Sequence, residues 1–135
     1  MELAEIGKNI LINCMNVKPG ENVLIVTDDE KYAIGQALYQ AAKLLKAEAM
    51  LMTMPAREVS GQEPPAVVAA AMKAADVVIC PMKTSITHTR AKIEAAEAGA
   101  RIATMPGITE EMFAMGAMTA DYSRVMALTE QVTDL

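Results

Sequence analysis

Apolar positions along this chain alternate between two rhythms. Leu3, Ile6, Ile10 and Cys14 recur at a helical period. Val17-Lys18-Pro19-Gly20-Glu21 reads as a turn. Val23-Leu24-Ile25-Val26 is then a short continuous apolar run, the pattern of a strand covered on both faces. Asp28, Asp29 and Glu30 suit a helix amino terminus, where carboxylates meet free amides and the positive end of the dipole. The helix after them carries Ala33, Ile34, Ala37, Leu38, Ala41, Leu44 and Leu45 on one face. Ala49-Met50-Leu51-Met52 reads as a second strand by its position more than by its weak alternation.

The pattern then repeats. A loop from Met54 to Pro64 leads into Pro64-Pro65, which opens a helix with Val68, Ala71, Met72 and Ala75 facing inward. Val77-Val78-Ile79-Cys80 is the clearest strand. Pro81 to Arg90 is a polar loop running into a helix that carries Ile93 and Ala96, and Gly99 closes that helix as a left-handed cap. Arg101-Ile102-Ala103-Thr104 is a fourth strand, and Pro106-Gly107 turns the chain. Thr109-Glu110-Glu111 starts a short helix around Met112 and Phe113. A last helix places Val125, Leu128, Val132 and Leu135 on one stripe, capped by Thr119 or Asp121. Four alternations of strand and helix with short connections predict an α/β fold: a Rossmann-like three-layer α/β/α arrangement around a mostly parallel four-stranded sheet. The last stripe is still in register at Leu135, so residues 1–135 are expected to form a single domain of a longer chain.

Composition narrows the function classes. The chain is 53% hydrophobic but 3% aromatic, so its core is aliphatic, with 12 Met, and offers few faces for stacking bases or sugars. A net charge of −5 and the lack of a basic run argue against nucleic acid. No apolar stretch reaches the roughly 20 residues of a membrane span. The acidic start, Met1-Glu2-Leu3-Ala4-Glu5, is unlike a signal peptide, so a cytoplasmic location is expected. Cys14 and Cys80 sit on apolar elements and read as buried thiols.

In an open parallel sheet, ligands bind beyond the carboxyl ends of the strands. The loops there are Thr27-Asp28-Asp29, Thr53-Met54-Pro55, Pro81 through Arg90, and Met105-Pro106-Gly107. The first carries two acids where a dinucleotide site needs glycines, and neither G-x-G-x-x-G nor a P-loop occurs. The third is the richest, with Lys83-Thr84-Ser85-Ile86-Thr87-His88-Thr89-Arg90. A helix beginning near Ser85 or Thr87 would aim free amides at the sheet edge, where they could hold a carboxylate or polarise a carbonyl. A solvated helix cap is the alternative. His88 is the one histidine of the chain, so neither a three-ligand zinc site nor a Ser-His-Asp set is expected within it. Asp28 and Asp29 read as cap residues, with Asp28 also a candidate for contact with a ligand.

Three segments carry a resemblance. Val17-Lys18-Pro19-Gly20-Glu21-Asn22-Val23-Leu24-Ile25, Ser85-Ile86-Thr87-His88-Thr89-Arg90-Ala91, and Gly99 through Met112 are similar in order and spacing to the aminopeptidase T (leucyl aminopeptidase) metallopeptidase family. That resemblance implies a cytoplasmic enzyme, homodimeric at full length, which releases amino-terminal residues from peptides. It further implies a pair of divalent metal ions, such as zinc or cobalt, held by Glu, His, Asp and Tyr in a larger carboxy-terminal domain. Those ligand segments are not in this sequence, so the chain is expected to bind no metal itself, to wall the active-site cleft, and to be inactive alone. Related ring-cleaving dihydroxypyridine dioxygenases share the architecture and use one iron. In them the loop matching Ser85 to Thr89 is expected to face the substrate. The cleft candidates are therefore His88 and Thr87, with Ser85, Arg90 and Asp28 beside them. A free-standing module for small-ligand binding or for dimerisation is the competing class.

Overall fold

The computed structural model describes residues 3–13, 15–59, 62–84, 86, 89–109 and 111–113. Four helices and four strands alternate: α1 (Leu3–Asn13), β1 (Asn22–Asp28), α2 (Tyr32–Leu44), β2 (Glu48–Met54), α3 (Ala66–Ala74), β3 (Val77–Met82), α4 (Arg90–Glu97) and β4 (Arg101–Pro106). All strand pairs are parallel, in the order β2-β1-β3-β4. The three-layer α/β/α expectation is met.

The strand sequences explain the layering. Side chains along a strand point alternately to the two faces of the sheet. Val23 and Ile25 of β1, Val77 and Ile79 of β3, and Ala103 and Met105 of β4 pack with Ile6, Ile10 and Leu11 of α1 and Ile34, Leu38 and Ala41 of α2. Leu24, Val26, Val78, Cys80, Met82 and Ile102 face the other way, onto Val68 and Met72 of α3 and Ala91 and Ala95 of α4. Two aliphatic cores thus flank one sheet, and the central strands β1 and β3 are apolar on both faces for that reason. β2 is an edge strand with residues of mixed exposure, which is why its alternation is faint in the sequence.

Two helices present different faces from those the periodicity suggests. On α2, Gly35 and Ala42 are buried, whereas Ala33 and Leu44 are exposed. Gly35 sets this phase. A Cβ built there would lie 2.8 Å from the Cβ and Cγ2 of Thr27, so the bare glycine lets α2 touch β1. On α4, Ala91, Lys92 and Ala95 face inward, while Ile93 and Ala96 face outward. There the buried cap Thr89 fixes the rotation, and two alanines allow closer approach than one isoleucine would. Gly99, at φ +108°, closes α4 in the left-handed region as its sequence suggests. Thr109 caps the next turn, its Oγ1 accepting the amide of Met112 at 3.1 Å. Cys14 and the expected last helix, with Thr119, Asp121 and Val125 to Leu135, lie outside the described residues.

Cys80 is buried in the α3/α4 core, and burial pushes its thiol up to about 12. Such a thiol carries almost no thiolate at neutral pH and is no nucleophile. In a Cys14→Ser background, Cys80 is expected to resist a thiol reagent at about pH 8 and to react fully in denaturant, as followed by absorbance. Rapid labelling of the folded chain would contradict its burial.

Candidate functional site at the carboxyl edge of the sheet

The chain leaves β1 for β2 on one side and returns to β3 on the other, so the topological switch point lies between β1 and β3. The ladder between these two strands covers Val23↔Val77, Leu24↔Val78 and Ile25↔Ile79 and then stops. Two residues later β3 carries Pro81, which has no N–H to give. Side chains span the resulting split. Thr27 Oγ1 donates to the carbonyl of Pro81 at 2.9 Å. The carboxylate of Asp28 accepts the amide of Lys83 at 2.6 Å through Oδ2. Its Oδ1 accepts the amides of Glu30 at 3.0 Å and Lys31 at 2.9 Å. Asp28 is fully buried, with both oxygens occupied by backbone donors. The sequence offered it as a cap residue or a ligand contact. Its geometry is that of a buried brace joining the end of β1 to the end of β3.

The other edge loops are tied to this brace. Asp29 Oδ1 accepts the amide of Ala56 after β2 at 3.2 Å. Lys83 Nζ lies 3.2 Å from Glu30 and 3.7 Å from Glu58. The Glu30 carboxylate first, and Glu58 after it, hold the Lys83 ammonium above the usual lysine range. The amide of Gly107, after β4, donates to the carbonyl of Met82 at 2.8 Å. A cavity of about 190 Å³ opens at this edge between Glu30, Lys31, Ala33, Ile34, Ile108 and Thr109. A larger open groove of about 710 Å³ runs along the outer flank of α4, past Glu63, Arg90, Ile93, Glu94 and Glu97.

The amino terminus of α4 differs from its sequence expectation. The helix begins at Arg90 behind the N-cap Thr89, rather than near Ser85 or Thr87. Its first amides already have acceptors. Glu63, from the loop before α3, takes Arg90 N at 2.7 Å through Oε2 and Ala91 N at 3.2 Å through Oε1. Thr89 Oγ1 takes Lys92 N at 3.2 Å and donates to the Ile86 carbonyl at 2.6 Å. An internal carboxylate therefore occupies the place proposed from sequence for a ligand anion. Glu63 lies 27 residues upstream of Arg90, so local reading could not connect them. Glu63→Gln is expected to cost about 1 kcal/mol and to speed amide exchange at Arg90 and Ala91. Unchanged exchange at both amides would contradict the capping role.

Arg90 is exposed, its Nε lying 3.9 Å from Glu94, and it points along the outer groove. His88, Thr87 and Ser85 lie outside the described residues. Their loop is anchored at one end by the Asp28–Lys83 bond and at the other by Thr89 and Glu63. Among the described residues, no three of His, Cys, Asp and Glu stand together as a metal-binding set. Among the same residues, no helix is long and apolar enough to cross a membrane.

The family model for 2,5-dihydroxypyridine 5,6-dioxygenase matches residues 2–134. The chain belongs to that family. None of the curated proteins matches it. Solved structures with a similar fold include two described in turn. The 2,5-dihydroxypyridine dioxygenase from Pseudomonas putida KT2440 aligns with a TM-score of 0.63 at 18% identity, over 77% of this chain and 33% of its own. Wild-type AmpT from Thermus thermophilus aligns with a TM-score of 0.54 at 13% identity, over 97% of this chain and 42% of its own. The chain therefore spans well under half the length of either structure. The expected aminopeptidase T resemblance is met at the level of the fold, through AmpT, while the matching family model is that of the dioxygenase.

Proposed function

We propose that this chain is the cleft-walling domain of a metal-dependent, ring-cleaving dioxygenase acting on a dihydroxypyridine-type substrate. The family match over residues 2–134 carries this reading. The braced carboxyl edge supports it, because a rigid rim can hold the loop from Lys83 to Thr89 against a substrate. The catalytic iron would be held by residues outside the described set. This chain's own part is to wall the cleft, exclude water and orient the substrate through His88, with Thr87 and Ser85 of the same loop. The working enzyme is proposed to be a cytoplasmic homodimer.

A metal-dependent aminopeptidase is the second reading. The three sequence segments favour it, as does the alignment of AmpT over 97% of the chain. There the same edge would receive a peptide, and a pair of divalent ions would again lie outside the described residues.

One purification distinguishes these readings. The native protein is isolated with an antibody against this chain, sized, and assayed in two ways. Oxygen uptake is followed with 2,5-dihydroxypyridine and ferrous iron. Leucine release is followed from a leucyl peptide with zinc or cobalt. Oxygen uptake dependent on the pyridine supports the first reading, and leucine release without it supports the second. A native species of 14.4 kDa inactive in both assays would sink both and leave a binding or dimerising module. In the active species, His88→Ala is expected to lower turnover by about a hundredfold with metal content unchanged. Normal kinetics in that variant would dismiss the role of His88.

A further inference from the structure

The sheet has two edges, and they are finished differently. In β4 the four middle residues are buried. In β2 only Met54 is buried, and Met50 is 41% exposed. No strand among the described residues pairs with the outer side of β2. Exposed edges are commonly guarded by lysine or proline, which discourage further pairing. β2, Glu48-Ala49-Met50-Leu51-Met52-Thr53-Met54, has neither and carries a single charge. The helix beside that edge is apolar on its open side as well. Its one charged residue is Lys73. Val67, Ala71 and Ala74 follow at helical spacing along α3, and Val67 is 71% exposed. Ala71 and Ala74 share a groove of about 320 Å³ with Leu24 and Met50. A helix that is apolar nearly all round is one that becomes covered. Edge and stripe thus form one apolar surface on the outer flank of the sheet.

We propose that this surface is a homodimer interface, in which β2 pairs antiparallel with β2 of a second copy and two four-stranded sheets join edge to edge. A second copy fits because the strand is self-complementary. A two-fold axis at Leu51, the middle of β2, sets Leu51 against Leu51, Met50 against Met52, Ala49 against Thr53 and Glu48 against Met54. Apolar side chains meet at the centre, and no like charges stand directly opposite. The charges at the strand ends also match. Lys46, exposed before β2, comes opposite Ala56 of the other copy, whose amide holds the exposed carboxylate of Asp29 at 3.2 Å. Glu58, also exposed, follows two residues on. Met50 and Met52 of both copies fill the trough between the two α3 helices, a seam that suits flexible side chains. The inference assigns an interface to the homodimer named above and needs neither of the two reactions.

The test is sedimentation equilibrium of the 135-residue chain at micromolar concentration, joined to cross-linking. A species of twice 14.4 kDa is expected. In a Cys14→Ser background, Leu51→Cys is expected to close an intermolecular disulfide under mild oxidation, because the two thiols face one another across the axis. Ile12→Cys, at an exposed position on α1, is expected not to. Met50→Lys is expected to weaken association about tenfold or more, since pairing would bury an ammonium without a partner. Lys46→Glu is expected to weaken it about fivefold, and added salt to narrow that difference. Circular dichroism checks that each variant is folded. A dimer indifferent to Met50→Lys, or one linked through Ile12→Cys and not through Leu51→Cys, would overturn the proposal. A chain that stays monomeric would also overturn it and assign the flank to a different partner. Should Leu51→Cys misfold, wild-type sedimentation and Met50→Lys decide the matter. Sedimentation needs no turnover, so failure of the enzymatic readings and failure of this one give different results.

Discussion

Asp28→Ala is expected to destabilise the chain by about 3 kcal/mol or more, the largest effect of any single change at the carboxyl edge. The carboxylate is fully buried and accepts the amides of Glu30, Lys31 and Lys83. Truncation leaves the amides of Glu30 and Lys83 without partners and Lys31 with its 3.3 Å bond to the Asp28 carbonyl alone, each orphaned donor worth about 1–3 kcal/mol when water does not replace the acceptor. Total domain stabilities are typically about 5–15 kcal/mol, so a large share is at stake. Asp28→Asn is the finer probe. Its carbonyl can still serve Glu30 and Lys31, but its NH₂ would face the Lys83 amide, donor against donor. The Asn variant is expected to fall between wild type and Ala in urea unfolding, with exchange accelerated at Lys83 before Glu30. An Ala variant within about 0.5 kcal/mol of wild type would mean that Asp28 does not brace this edge.

Gly35→Ala is expected to destabilise by about 1–3 kcal/mol, although alanine is the better helix former by about 1 kcal/mol. The added Cβ would stand 2.8 Å from Thr27 Cβ and Cγ2 and 3.0 Å from its Oγ1. Thr27 is poorly placed to yield. Its side chain is fully buried, and its hydroxyl is committed to the Pro81 carbonyl across the split between β1 and β3. The strain must therefore move α2 away from β1, or break the Thr27–Pro81 bond and loosen the site. Thermal unfolding checks the first outcome, and exchange around Lys83 checks the second. A raised melting temperature would show that the α2/β1 contact has slack.

Glu63 shows how one loop can serve the helix of another. Glu63 spends its carboxylate on the amides that open α4, which closes a helix terminus to outside anions. The family match and the structural neighbours bear on the fold and lineage of this edge. The choice among its ligands depends on individual side chains.

The sequence by itself determined the element order and the parallel sheet, and it pointed to the carboxyl edge as the candidate site. Continuous apolar runs such as Val77-Val78-Ile79-Cys80 have one economical use, a strand covered on both faces, and turn residues such as Gly99 mark where helices stop. Such signals are local, and each can be read within a few residues. Only the tertiary structure decided which helix faces turn inward and which polar groups are already engaged. Gly35 sets the phase of α2 through Thr27, Glu63 claims the start of α4, and Asp28 reaches Lys83 across 55 positions. Periodicity cannot register these contacts, because a hydrogen bond or a close approach depends on distance in space. The sequence therefore indicated a candidate edge, and folding decided which of its groups are already engaged.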